Sequence, residues 1–212
     1  MERVKIGVLL SGSGSNFQSI LDATENPDYP GKVVYVASNK QNAFGLERAR
    51  RSGIPHKAFE RGFYSSKEDR DRELLQALQD HEVELVVLAG YLGKIPEFMI
   101  DAYENRILNI HPSLLPCFGG RGYFGKRVHQ GVYDRGMKIS GATVHFVNEE
   151  TDGGPIILQE AVKIDFHDDA DMIQKKVLAI EHRIYPEAIA LTARGRVQVI
   201  EGRVKIQEEG GV

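Results

Sequence analysis

The chain has 212 residues, 42% of them apolar and 27% charged, with a formal net charge of -3; this is the make-up of a globular protein able to bury roughly 70% of its unfolded surface without disulfide or metal. The nearly balanced charge gives no general basic field and argues against a nucleic-acid binder, and no apolar run approaches the ~20 residues of a membrane span. Cys117 is the only cysteine, which excludes an internal disulfide, and no signal-like stretch precedes the first strand, so the sequence fits a cytoplasmic protein.

Residues 4–10 form a nearly continuous apolar run, as in a strand buried on both faces. A turn at 11–16 leads into a helix over 17–23, and a second strand is expected at 33–37. A helix follows around 43–51, closed by Gly53. Ser66 reads as the N-cap of a charged helix to about Asp80, with Leu74, Leu75 and Leu78 on its buried face. Residues 85–89 are another buried strand, 96–103 a short helix and 107–111 a further strand. Strand and helix alternate, which implies an α/β fold with a doubly wound, mostly parallel, Rossmann-like sheet.

The rhythm changes after residue 116. Residues 118–126 carry four glycines among aromatic and basic side chains and read as a mobile loop, with a helix after it near 128–134. Strands at 142–147 and 156–162 flank the acidic loop 148–155 and are expected as antiparallel additions to the sheet. A long helix spans 168–192, with Pro186 expected to kink or split it, and 197–200 and 204–206 read as a terminal hairpin. The whole is expected to be one domain, 1–212, in two halves, 1–108 with the candidate phosphate turn and 109–212 with the candidate catalytic residues.

Two places carry chemistry. In the first, SGSGSN at 11–16, glycines let the backbone approach an anion and the following helix N-terminus supplies N–H groups. Phe17 stands where a dinucleotide fingerprint has its third glycine, and the second strand ends in Ser38-Asn39-Lys40 with no acid for a ribose. The Gly-Lys-Ser/Thr ending of a P-loop is also missing. What remains is a pocket for a single phosphate or a plain tight turn.

The second is NIHPSLLP at 109–116, read with Asp152. Alternation along a strand puts Asn109 and His111 on one face, opposite Leu108 and Ile110, and Pro112 ends the strand. An amide and an imidazole thus stand side by side at the carboxyl end of a strand, where open α/β sheets bind ligands. A carboxylate brought close, such as Asp152, favours the charged imidazole. The set suits attack of an amine on a carbonyl, in which a tetrahedral oxyanion must be held. The bland alternatives are a structural histidine and a turn-forming aspartate. Cys117 lacks the partner base of a thiol nucleophile, the histidines show no metal-ligand spacing, and Arg121, Lys126, Arg127 and His129 read as a solvated basic face. Tyr91 to Ile95 is either loop packing or a wall for a flat heterocycle.

With SGSGSN, AFGLERAR at 43–50, LAGY at 88–91, NIHPSLLP, TVHFV at 143–147, DGGPII at 152–157 and EHRIYP at 181–186 in this order, the chain resembles the phosphoribosylglycinamide (GAR) formyltransferase family of folate-dependent purine biosynthesis. The resemblance covers residues 4 to about 193. It implies transfer of a formyl group from the co-substrate 10-formyltetrahydrofolate to the amino group of GAR, with no metal, no nucleic-acid or membrane partner, and a homodimer left open. It also implies that Asn109 and His111 contact the formyl oxygen while Asp152 keeps His111 charged. Gly14, Ser15 and Asn16 would hold the GAR phosphate and Glu181 its ribose. Leu92, Gly93, Lys94 and Ile95, with Asn148, Glu149, Glu150, Thr151 and Asp152, would line the folate pocket beside Asn109, and Lys67 matches a basic position near the folate. The chain departs from the family pattern at Gly93, often Arg in relatives, at Leu178, where relatives are polar, and along 121–129.

Three alternatives share parts of this pattern. A formyltetrahydrofolate hydrolase carries an extra N-terminal domain, whereas the core strand here starts at Val4. A methionyl-tRNA formyltransferase continues into an RNA-binding domain, whereas this chain ends in acidic EEGGV. A non-catalytic nucleotide-binding module accounts for SGSGSN but leaves Asn109, His111 and Asp152 unexplained.

Overall fold

The computed structural model describes residues 2–208, so most of the terminal EEGGV, from residue 209 on, lies outside the described residues. The chain divides into two compact units, Met1–Leu108 and Asn109–Val212.

The first unit runs β1 (Val4–Leu10), α1 (Ser15–Thr24), β2 (Gly31–Ser38), α2 (Phe44–Arg51), β3 (His56–Ala58), a 3-10 turn at Arg61–Phe63, α3 (Lys67–Asp80), β4 (Leu85–Leu88) and α4 (Glu97–Ala102). β1 is parallel to both β2 and β4, and β2 is parallel to β3. The apolar run of β1 explains its central place: Ile6, Val8, Leu9 and Leu10 are fully buried, which only a strand covered on both faces achieves. Ser66 caps α3, its side chain accepting the Asp69 N–H at 3.0 Å. The buried face of α3 differs from the expected one. Leu74 and Leu78 are buried and Leu75 is only half-buried, while Arg70 and Asp71 are buried as a mutual ion pair, Nη2 to Oδ1 2.5 Å. β3 and the 3-10 turn went unpredicted because three exposed or half-exposed residues carry no hydrophobic period.

β5 (Ile107–His111) begins at the end of the first unit and ends in the second. The second unit continues with α5 (Lys126–Asp134), β6 (Ile139–Phe146), β7 (Ile156–Lys163), α6 (Ala170–Ala193), β8 (Val197–Ile200) and β9 (Arg203–Ile206). The fold is mixed α/β, with strand order β3-β2-β1-β4-β5-β6-β7 and a separate antiparallel β8–β9 hairpin. β6 and β7 are antiparallel, as the sequence predicts. α6 is one unbroken helix of 24 residues, capped by Asp169 on the Met172 N–H (2.8 Å), and Pro186 lies inside it rather than splitting it. Ile173, Val177, Ile180 and Ile184 form its buried stripe.

Candidate active site

β5 ends at the predicted residue, and its alternation gives the predicted pair. Asn109 is half-buried and His111 is 5% exposed. The segment after His111 is tied down by one hydroxyl on β6. Thr143 Oγ1 donates to the Ser113 carbonyl (2.6 Å) and accepts the Leu115 N–H (3.1 Å) and Gln159 Nε2–H (2.9 Å). Ser113 Oγ in turn donates to the Cys117 carbonyl at 2.5 Å. Thr143 is wholly buried, so its three bonds replace water entirely and hold the turn that carries His111 into the next loop.

Asp152 arrives from the loop between β6 and β7. Asn148 Oδ1 accepts the Glu150 N–H at 3.1 Å and the Glu150 carbonyl accepts the Gly153 N–H at 3.2 Å, folding the loop back. Asp152 itself takes φ +57°, a left-handed conformation that a short polar side chain tolerates. Its carboxylate reaches both histidines of the site. Oδ2 lies 3.5 Å from His111 Nδ1, and Oδ1 lies 3.8 Å from His145 Nε2.

The hydrogen bonds fix where protons sit on the two rings. His111 Nε2 stands 2.8 Å from the Phe118 carbonyl, and a carbonyl only accepts, so Nε2 carries a proton and Nδ1 is the nitrogen that faces Asp152. His145 is the reverse. Its Nδ1 donates to the Phe146 carbonyl at 2.8 Å, and its Nε2 stands 3.1 Å from Asn109 Nδ2. Burial holds the His145 pKa below the ordinary histidine value, against the raising influence of the Phe146 carbonyl and Asp152, with His111 adding to the lowering. Four polar side chains, Asn109, His111, His145 and Asp152, therefore form one connected group. The sequence marks three of them. His145 carries no such mark, although the i, i+2 spacing from Thr143 puts both on one face of β6.

His129 also departs from expectation. It is 2% exposed on α5, not part of a solvated basic face, and burial, helped by the charge of nearby His111, pushes its pKa down to about 4. Its Nδ1 has no hydrogen-bond partner among the described residues. Arg121, Lys126 and Arg127 are exposed as expected, and Lys126 pairs with Asp171 at 2.8 Å. Cys117 is exposed and free.

In the first unit, the 11–16 turn is built for close backbone approach. Gly14 is the N-cap of α1 at φ +70°, with no side-chain cap hydrogen bond. A Cβ at Gly14 would stand 2.9 Å from the Gly45 Cα, so glycine is required on steric grounds as well. Gly45 N–H donates to the Gly12 carbonyl at 3.1 Å. Arg48 Nε donates to the Ser13 carbonyl (2.9 Å) and its Nη1 to Gln18 Oε1 (2.6 Å), which places a guanidinium beside the turn. In the sequence Arg48 stands within AFGLERAR with nothing to mark it as a site residue. Ser15 is half-buried and Asn16 buried. Ser11 Oγ accepts the Leu92 N–H at 2.8 Å, tying the start of the Leu92–Ile95 segment to the same turn. In that segment Leu92 is exposed, Gly93 half-buried, Lys94 exposed and Ile95 buried. Lys67 is exposed at the first position of α3. In the second unit Asn148, Glu149, Glu150 and Thr151 are exposed along their loop, and Glu181 is buried on α6. No helix among the described residues is long and apolar enough to cross a membrane.

Comparison with known proteins agrees with this chemistry. A family model described as formyl transferase matches residues 4–189. The chain is 41% identical over 198 residues to the phosphoribosylglycinamide formyltransferase of Escherichia coli (strain K12), covering 93% of this chain and 91% of that one. It is 39% identical over 199 residues to the trifunctional purine biosynthetic protein adenosine-3 of Gallus gallus, of which it spans 19%. Among solved structures, glycinamide ribonucleotide transformylase 1 from Symbiobacterium toebii superposes with a TM-score of 0.91 at 45% identity, over 97% of this chain and 95% of that one.

Proposed function

Since the chain belongs to the formyl transferase family, and within it to the phosphoribosylglycinamide formyltransferases, we propose that it moves the formyl group of 10-formyltetrahydrofolate to the amino group of GAR by direct attack. The GAR nitrogen bonds to the formyl carbon, the carbonyl electron pair moves onto oxygen, and the amine loses a proton. The oxyanion then collapses and expels N10 of tetrahydrofolate, which takes a proton. Holding both reactants together removes most of the entropic barrier to such a bimolecular step. The observation that carries the reading is the linked group Asn109, His111 and Asp152, with an amide N–H and a charge-capable imidazole 3.5 Å from a carboxylate.

Asn109 Nδ2–H stabilises the oxyanion as a donor, contributing about 3 kcal/mol in the transition state, and the positive charge of protonated His111 supports it from nearby. Asp152 places a negative charge 3.5 Å from His111 Nδ1, and the proton that the GAR amine gives up is passed to N10 through His111 or a relayed water. The backbone at Gly14, Ser15 and Asn16 takes the GAR phosphate, with the Arg48 guanidinium beside it, and Glu181 takes the ribose. Leu92, Gly93, Lys94 and Ile95, the loop Asn148 to Asp152, and Lys67 serve the folate.

A substrate-dependence assay tests this. With 10-formyltetrahydrofolate as donor and no added metal or nucleoside triphosphate, tetrahydrofolate should appear only when GAR is present. Equal deformylation with and without GAR would replace transfer by hydrolysis.

A further inference from the structure

We propose that His145 is a positioning residue for formyl transfer, its bare Nε2 fixing the Asn109 amide so that an N–H is presented to the reacting oxygen. This rests on the reading of Asn109 as an oxyanion donor. The Phe146 carbonyl can only accept, so His145 Nδ1, 2.8 Å away, must carry the proton. A neutral ring protonated at Nδ1 has a lone pair at Nε2, and only a donor is stable 3.1 Å from it. Asn109 therefore turns Nδ2 toward His145, not Oδ1. One N–H of Nδ2 is spent on the ring and the second is left for substrate. With the ring in the opposite tautomer, the amide would turn over, exchanging its nitrogen and oxygen. An acceptor would then stand where the oxyanion needs a donor.

The fold holds this arrangement from behind. His145 is 2% exposed, and the β6–β7 register jumps at this residue, from Val144 opposite Leu158 to His145 opposite Ile156. The extra residue, Ile157, lies on β7, so β6 keeps its alternation and His145 stays on the face of Thr143. The groups that face the ring are Asn109, the Asp152 carboxylate at 3.8 Å, and His111. Burial keeps the ring neutral among them.

The test is a double-mutant cycle on the full chain. His145→Leu should lower kcat by about 10- to 100-fold while KM for GAR and for 10-formyltetrahydrofolate stays within about threefold. His145→Gln, which restores an acceptor near the Nε2 position, should recover most of the loss. In an Asn109→Ala background, His145→Leu should cost less than about twofold more, because its effect passes through the missing amide. Independent, additive losses would overturn the proposal. Should the leucine variant fail to fold, nitrogen NMR of the unmodified protein still decides: His145 should be protonated at Nδ1 and bare at Nε2 near neutral pH, and an Nε2-protonated ring overturns the role. A protein that shows this tautomer yet leaves GAR unformylated would sink the proposed reaction, a different result.

Discussion

Gly120 donates its backbone N–H to Asp152 Oδ2 at 2.8 Å, while the same oxygen stands 3.5 Å from His111 Nδ1. The carboxylate is thus held more tightly by the 118–120 segment than by the imidazole it serves, since 3.5 Å is long for a charge-assisted bond. Two residues earlier the same segment lends the Phe118 carbonyl to His111 Nε2. One short stretch of loop therefore sets both the ring edge that faces the carboxylate and the place of the carboxylate itself.

Asp152→Asn keeps an oxygen that can accept the Gly120 N–H, so the loop and the fold should survive, with thermal unfolding within a few degrees of the unmodified protein. What it removes is the negative charge beside Nδ1. Turnover of GAR should fall by roughly 10²- to 10⁴-fold, the range for loss of a tuned acid or base. A variant with near-normal kcat would remove Asp152 from the reaction.

The buried His129 makes a pH prediction whose sign follows from its depressed pKa. In the native protein it stays neutral down to about 4, whereas in the unfolded chain it takes a proton near the ordinary value of about 6.5. Between those values the unfolded state binds more protons, so stability falls as pH falls through the window, by up to roughly 3 kcal/mol by the bottom of it. Urea unfolding of His129→Gln should show a visibly shallower loss between pH 6.5 and 4. Parallel curves for the two proteins would contradict the buried neutral histidine.

Much of this was legible in the sequence because the informative residues are local. The β5 alternation and Pro112 placed Asn109 and His111 on one face without reference to the rest of the chain, and Ser66 announced the start of α3. His145 was not legible in the same way. Its meaning depends on the Phe146 carbonyl and on Asn109 36 positions away, neither of which has a composition or a period. His129 was misread for a related reason: a histidine among Arg121, Lys126 and Arg127 looks solvated, yet α5 turns only Val128, His129 and Val132 inward. Arg48 was hidden because its partner is a backbone carbonyl in a turn 35 residues earlier. Pro186 shows the converse, a strong local breaker signal that does not split α6, which runs on through it to Ala193.

Gly154→Ala tests how far the loop supports the site. A Cβ at Gly154 would run into the Phe146 carbonyl oxygen, the same atom that fixes His145 Nδ1. The backbone of β6 or the loop must shift to admit it, at a cost of about 1–3 kcal/mol in stability, as for other overpacked sites. Because the displaced atom is the one that sets the His145 tautomer, kcat at a temperature where the variant is fully folded should fall as well, by at least about tenfold. A destabilised variant with unchanged kcat would separate the loop from the site.

Asn16→Leu should weaken GAR binding and leave 10-formyltetrahydrofolate affinity nearly unchanged. Asn16 is buried in the first turn of α1, directly after Gly14, and the backbone of that turn is set by Gly14, by the Gly45 N–H on the Gly12 carbonyl and by Arg48 on the Ser13 carbonyl. None of these depends on the Asn16 side chain, so the substitution removes a polar partner without removing the turn. Losing one hydrogen bond to a charged phosphate costs about 1.5–3 kcal/mol, or roughly 10- to 150-fold in affinity. Calorimetry with each substrate alone separates the outcomes. A loss confined to GAR places its phosphate at this turn, equal losses for both substrates point to a disturbed fold, and an unchanged GAR affinity removes Asn16 from phosphate binding.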